Sequence, residues 1–162
     1  MGEDAFPVRA LVFDKTPAMN WAVAWHQDRT IAVSERIEVD GFGPWSVKDG
    51  WVHVAPPVEV LQGMVTLRLH IDDCDAANAP LKVAVGTHLL GVVPAHQATD
   101  VANAHPALSC HAGAGDIWAY ATLILHASER SRSMGRRRVL QVDFAATELP
   151  GRLKWLGLGA EV

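Results

Sequence analysis

His26 and Asp28 stand two residues apart in the segment Trp25-His26-Gln27-Asp28. On a β-strand, residues at that spacing project from one face. An imidazole beside a carboxylate supplies two ligands of a 2-His-1-carboxylate site. That set suits Fe(II) and leaves open positions for groups that bind the metal directly. The third ligand must come from elsewhere, and His126 is the candidate. It ends an otherwise apolar stretch, where an imidazole needs a partner to be buried. A His-x-Asp pair also arises by chance in a chain with eight histidines, as a polar strand face in water. For His126 the corresponding alternative is a core histidine bonded to backbone.

Arg137 follows His126 by eleven residues, after a turn at 131–135 and at the start of the next strand. From there a guanidinium reaches back beside His126, and its planar fork holds a carboxylate through two parallel bonds. Ser128 shares a face with His126 and adds a hydroxyl donor for the same carboxylate. Arg136 and Arg138 flank Arg137, and a solvated basic edge accounts for one or two of the three.

These side chains need sheets to hold them. Residues 8–15 (VRALVFDK) read as a strand ended by Thr16-Pro17. Residues 20–33 carry the His-x-Asp pair, with Trp21, Val23 and Trp25 on the opposite face. Further strands are expected at 51–54, 64–71, 81–85, 116–128 and 138–145, and a helical turn at 58–63. In 64–71 the apolar set Val65, Leu67, Leu69 and Ile71 alternates with Thr66, Arg68 and His70. A solvated polar face is expected there, with an anion-recognising pocket edge as the alternative. In 116–128, Trp118, Tyr120, Thr122, Ile124, His126 and Ser128 share a face. Residues 40–50 read as a loop, 72–80 as a turn cluster, and 94–107 as a loop or short helix; 147–162 carries no firm pattern. Trp45, Trp51, Trp118 and Tyr120 are the candidate pocket wall, with 40–50 as its cover, although tryptophan more often packs a core than contacts a substrate. Short strands separated by Gly/Pro turns, without a long helix, point to a β-sandwich or barrel.

Whole-chain properties narrow the class. The chain has 162 residues, enough for one domain with a real core. A hydrophobic share of 49% against 20% charged is a globular balance. A net charge of −4 argues against nucleic acid. Cys74 and Cys110 form no disulfide framework, the N-terminus shows no secretory pattern, and no apolar run is long enough for a bilayer. A cytoplasmic protein without membrane partners is the expectation.

Three segments together resemble the phytanoyl-CoA dioxygenase family of Fe(II)/2-oxoglutarate oxygenases. FDKTPAMNWAVAWHQD resembles the approach to that family's metal motif. NAPLKVAVGTHLLG resembles its Asn-Gly-Pro-Leu…Pro-Gly-Ser-His stretch. GDIWAYATLILHAS…GRRRVLQVDFA resembles its distal-histidine and arginine strands. The likeness runs from about Val8 to Phe144. It implies a mainly β fold, a double-stranded β-helix of jelly-roll, cupin-like form with few short helices. It implies that His26, Asp28 and His126 bind Fe(II), and that Arg137 and Ser128 bind the distal carboxylate of 2-oxoglutarate. The implied reaction is an O₂-dependent hydroxylation of a small-molecule substrate, yielding succinate and CO₂. Asp28 distinguishes the chain from halogenases, where a small residue makes room for halide.

Ala79 and Thr87 replace the family's Gly and Ser, and Val85 replaces its Pro. The expected organisation is one domain over 1–162, without the helices that family members usually carry ahead of the first strand. That leaves two rivals, an inactive β-sandwich relative acting as a binding module and a cupin-type metalloenzyme that needs no 2-oxoglutarate. An exposed barrel start leaves room for a homodimer.

Overall fold

A computed structural model of the chain describes residues 2–158. Two four-stranded antiparallel sheets dominate it. The first runs in the order β1 (Phe6–Lys15), β11 (Arg137–Ala145), β6 (Val65–His70), β9 (Ile117–Ala121). The second runs β2 (Val23–His26), β10 (His126–Ser128), β7 (Leu81–Ala84), β8 (Ala107–Cys110). Residues of both sheets line one cavity. This is the mainly β, jelly-roll arrangement expected from the sequence, with two short helices, α1 (Val58–Gln62) and α2 (Ala98–Asn103).

A third sheet, in the order β3 (Ile31–Val33), β5 (Trp51–Val54), β4 (Trp45–Lys48), packs with α1 against the start of β1 and the end of β11. Val8, Val33, Val54, Leu61, Leu123 and Ala145 meet there as the principal apolar core. A smaller cluster, built on Ala84, Ala98, Ala102 and Leu125, seats α2 beside Trp25. The strands that carry His26 and His126 are thus backed by close-packed apolar side chains, whose shape resists displacement.

Residues 31–33, which the sequence allowed either to extend the strand or to begin the next, form a separate strand in another sheet, because β2 stops at His26. The element boundaries differ from the sequence expectations in three places. Residues 116–128 also divide, β9 in the first sheet and β10 in the second. The apolar residues between them, Leu123 and Leu125, fill cores and do not extend a strand. The expected loop at 40–50 contains β4, and β8 (Ala107–Cys110) begins at the end of the loop or short helix expected over 94–107. Both are short edge strands without a clean alternation for the sequence to display.

The polar face of β6 is the larger correction. Thr66, Arg68 and His70 are only 0%, 6% and 2% exposed, while Val65, Leu67 and Leu69 are half-buried. The barrel wall is lined with polar groups, so the polar face turns inward. Opposite Arg68 and Thr66 on β11 lie Gln141 and Asp143, also buried. The residues of the 147–162 tail beyond 158 lie outside the described residues.

Candidate metal centre

β10 lies in the middle of its sheet, bonded to β2 on one side and β7 on the other. Its register places His126 directly opposite His26. The ladder shifts between His126 and Ser128, whose partner is Val23, so β2 carries one extra residue there. Each imidazole donates its Nδ1–H to the carbonyl two residues before it, His26 to Ala24 and His126 to Ile124, both at 2.9 Å. Those bonds leave the Nε2 lone pairs free to point at a common centre.

Asp28 lies just past the end of β2. Its Oδ2 is 3.9 Å from His126 Nε2, too far for a hydrogen bond. One ligand atom from each of His26, Asp28 and His126 lies within 4.8 Å of the others, and among the described residues this is the one such cluster. Burial drives the His126 pKa down despite the opposing pull of Asp28, so its imidazole is neutral at neutral pH. Metal ligation requires that form. Two imidazoles and a carboxylate, with their inward lone pairs unpartnered, fit a divalent transition metal.

Gln27 separates the two ligands and turns the other way. Its amide donates to Leu123 O at 2.7 Å and Gly91 O at 2.9 Å and accepts from Val93 N at 2.8 Å. Three backbone groups therefore hold the segment in which His26 and Asp28 sit.

The triad opens onto a cavity of about 210 Å³. Ser128, Arg137 and Lys15 line it as well. Lys15 and Arg137 are register partners on β1 and β11, only 1% and 2% exposed. Lys15 Nζ donates to Ser128 Oγ at 3.1 Å and Glu129 O at 2.7 Å. Arg137 donates through Nη1 to Ala79 O, while its buried Nε has no partner. Among the described residues neither cation forms an ion pair. Burial, then repulsion by Arg137, brings the Lys15 pKa down to about 8. Two adjacent buried cations without a counter-charge are costly unless an anion joins them.

All five residues singled out in the sequence thus border one cavity. Lys15, Arg68 and Trp21 border it too. For Arg68 this is the pocket-edge alternative and not the solvated face first expected, whereas Lys15 and Trp21 were not singled out as site residues. The signal for Lys15 was a charge placed in step with Phe13 and Leu11, the inward residues of β1. The candidate tryptophan wall does not form, and the core-packing alternative holds for Trp45. Trp45 packs against the apolar core, Trp51 is exposed, and Trp118 donates to His111 O. Trp21 lines the cavity instead, under the Lys15 ammonium at 5.2 Å. Tyr120 packs behind His126, with ring centroids 6.1 Å apart. From the 40–50 segment, Lys48 reaches the cavity.

The family profile for phytanoyl-CoA dioxygenases matches residues 5–139. The chain belongs to the phytanoyl-CoA dioxygenase family. Sequence comparison with curated proteins gives no significant match. Solved structures similar to this phytanoyl-CoA dioxygenase family chain include EvdMO1, at TM-score 0.64 and 20% identity over 93% of this chain and 29% of that one. EctD from S. alaskensis with bound Fe gives TM-score 0.64 and 14% identity, covering 99% of this chain and 51% of EctD. The non-heme alpha ketoglutarate dependent epimerase SnoN gives 0.59 and 15%, covering 97% and 56%. The chain therefore spans between 29% and 56% of the length of these three proteins. They share its fold.

The family's Gly-to-Ala departure falls beside the cavity. Ala79 adopts φ +53°, in the left-handed region that suits glycine. That conformation aims its carbonyl at Arg137 Nη1 and Ser128 Oγ. Thr87, in the place of the family's Ser, is fully buried; its hydroxyl donates to Ala84 O at 2.7 Å and accepts from Leu125 N at 2.9 Å. It ties the end of β7 to the residue before His126.

Proposed function

We propose that the protein is an Fe(II)- and 2-oxoglutarate-dependent dioxygenase that hydroxylates a small organic substrate, converting 2-oxoglutarate to succinate and CO₂. One observation carries this reading: the two-histidine, one-carboxylate cluster shares a cavity with the unpaired cations Lys15 and Arg137. Family membership supports the same oxygenase class. His26, Asp28 and His126 would hold the iron. Bound there, Fe(II) would supply the O₂ chemistry that couples decarboxylation of the cosubstrate to oxidation of a C–H bond.

The chain's own part is binding and orientation. Arg137 pairs with the distal carboxylate of 2-oxoglutarate, the Lys15 ammonium adds a second positive charge, and Ser128 adds a hydroxyl. Ala79 O and Glu129 O fix the two cations from behind. A metalloenzyme without a cosubstrate would give Lys15 and Arg137 no partner, and an inactive relative would have no use for the full set.

Succinate formation by the purified protein with Fe(II), 2-oxoglutarate and O₂ tests the reading. Slow uncoupled succinate release is expected from the intact protein and none from Asp28→Ala. Arg137→Ala should lose 2-oxoglutarate binding while still binding Fe(II). Normal 2-oxoglutarate binding by Arg137→Ala would overturn its assignment.

A further inference from the structure

We propose that the prime substrate is a small organic acid whose carboxylate pairs with Arg68. This builds on the function proposed above, in which Lys15, Arg137 and Ser128 are occupied by the cosubstrate.

Arg68 lines the same cavity as His126 and Asp28, on the wall formed by the first sheet, and is only 6% exposed. Its charge has no counterpart. Nη1 donates to the neutral amide oxygen of Gln141 at 2.9 Å, and the buried Nε has no partner. Phe13 lies beneath the guanidinium, 4.9 Å from ring centroid to carbon. Among the described residues Arg68 forms no ion pair.

The neighbouring carboxylates are already committed. Asp143 gives Oδ2 to Arg9, at 2.8 Å from Nε and 2.7 Å from Nη2. Its Oδ1 accepts from Thr66 at 2.9 Å and Gln141 at 3.2 Å. By donating to Asp143, Gln141 is oriented with its oxygen toward Arg68, which fixes the plane of the guanidinium. Asp28 is reserved for the metal. A buried, oriented guanidinium without a counter-charge is built for a carboxylate.

This second anion station is distinct from the first. Arg68 lies opposite Gln141, four residues along β11 from Arg137, or about 13 Å of strand. Arg68 and Arg137 both belong to the first sheet, and His26 and His126 to the second. Lys48 also lines this cavity and adds positive charge that would draw an anion in.

The test uses protein loaded anaerobically with Fe(II) and saturating 2-oxoglutarate, and follows binding by calorimetry. The probes are propionate through octanoate, benzoate and phenylacetate, each paired with its carboxamide. At least one acid should bind, with its amide weaker by about tenfold or more. Arg68→Gln should weaken that acid by about tenfold or more, and Arg68→Lys should recover part of the loss. Unchanged affinity for 2-oxoglutarate in both variants would show that they fold. Three results would overturn the proposal: acids and amides binding alike, no acid binding, or Arg68→Gln weakening 2-oxoglutarate in parallel. If the Fe(II)-loaded natural sequence failed to bind 2-oxoglutarate before any acid was added, the oxygenase function itself would fall, and this proposal with it.

Discussion

His26 and His126 face each other across the β2–β10 ladder, ring centroids 4.2 Å apart and planes tilted by 55°. Each ring is anchored by the same bond, from Nδ1 to the carbonyl two residues earlier. Strand register, and not loop conformation, therefore sets the spacing of the two imidazoles. A site held on strands is more precise than one held on loops. Asp28 lacks that support, and Gln27 supplies it.

Gln27→Leu should therefore act on the metal without touching it. It strands Val93 N–H and two carbonyls and releases the segment carrying both ligands. Fe(II) affinity should fall about 10- to 100-fold, as for other groups that orient metal ligands. Stability should fall by about 2 kcal/mol. Anaerobic Fe(II) titration and urea denaturation measure the two effects; unchanged Fe(II) affinity would remove Gln27 from the positioning role.

Ala79→Gly should stabilise the protein. The left-handed backbone at φ +53° costs an L-residue about 1–2 kcal/mol, offset in part by the greater chain entropy of glycine. A net gain of about 0.5 kcal/mol is expected in urea denaturation. A loss of stability would mean that the alanine methyl packs usefully there.

Thr87→Val should cost about 1–2 kcal/mol, because Leu125 N–H would be left buried without an acceptor. Thr87→Ser keeps the hydroxyl and should retain most of the stability. Equal losses in the two variants would point to packing of the methyl group instead.

Lys15 gives the site a pH dependence. Its folded-state pKa is about 8, against an ordinary value of 10.5. The folded protein thus releases this proton before the unfolded chain does. The cost of the buried charge is present in full below pH 8 and is relieved as pH rises toward 10.5, so the Lys15 contribution to stability grows over that window. Anion binding runs the other way. 2-Oxoglutarate affinity should fall as pH rises through about 8, and Lys15→Met should flatten that dependence. Binding isotherms from pH 6.5 to 9.5 (about three units, spanning the ordinary range of a shifted lysine) check it. A dependence that persists in Lys15→Met would assign it to another group.

The chemistry-bearing residues were legible in the sequence because their spacing survives folding. His26 and Asp28 share a side whether or not the strand continues between them, and Ser128 follows His126 by one same-face step. What could not be read was which side of a strand faces inward. β6 shows an apolar row and a polar row, and polarity alone sends Arg68 and His70 to solvent. The opposite holds because the barrel interior is a polar cavity with Gln141 and Asp143 on the adjacent strand. The break between β9 and β10 was hidden for a related reason. Leu123, Ile124 and Leu125 are as apolar as a strand but are spent on crossing between sheets. Local pattern does not carry that distinction, which depends on packing partners distant in sequence.

The most direct measurement is an anaerobic titration of the purified metal-free protein with Fe(II) and 2-oxoglutarate, followed by the visible charge-transfer band of the chelate. The natural sequence should develop the band at stoichiometric Fe(II), and His126→Ala should not. A well-folded natural sequence that binds Fe(II) but gives no band with 2-oxoglutarate would contradict the proposed function.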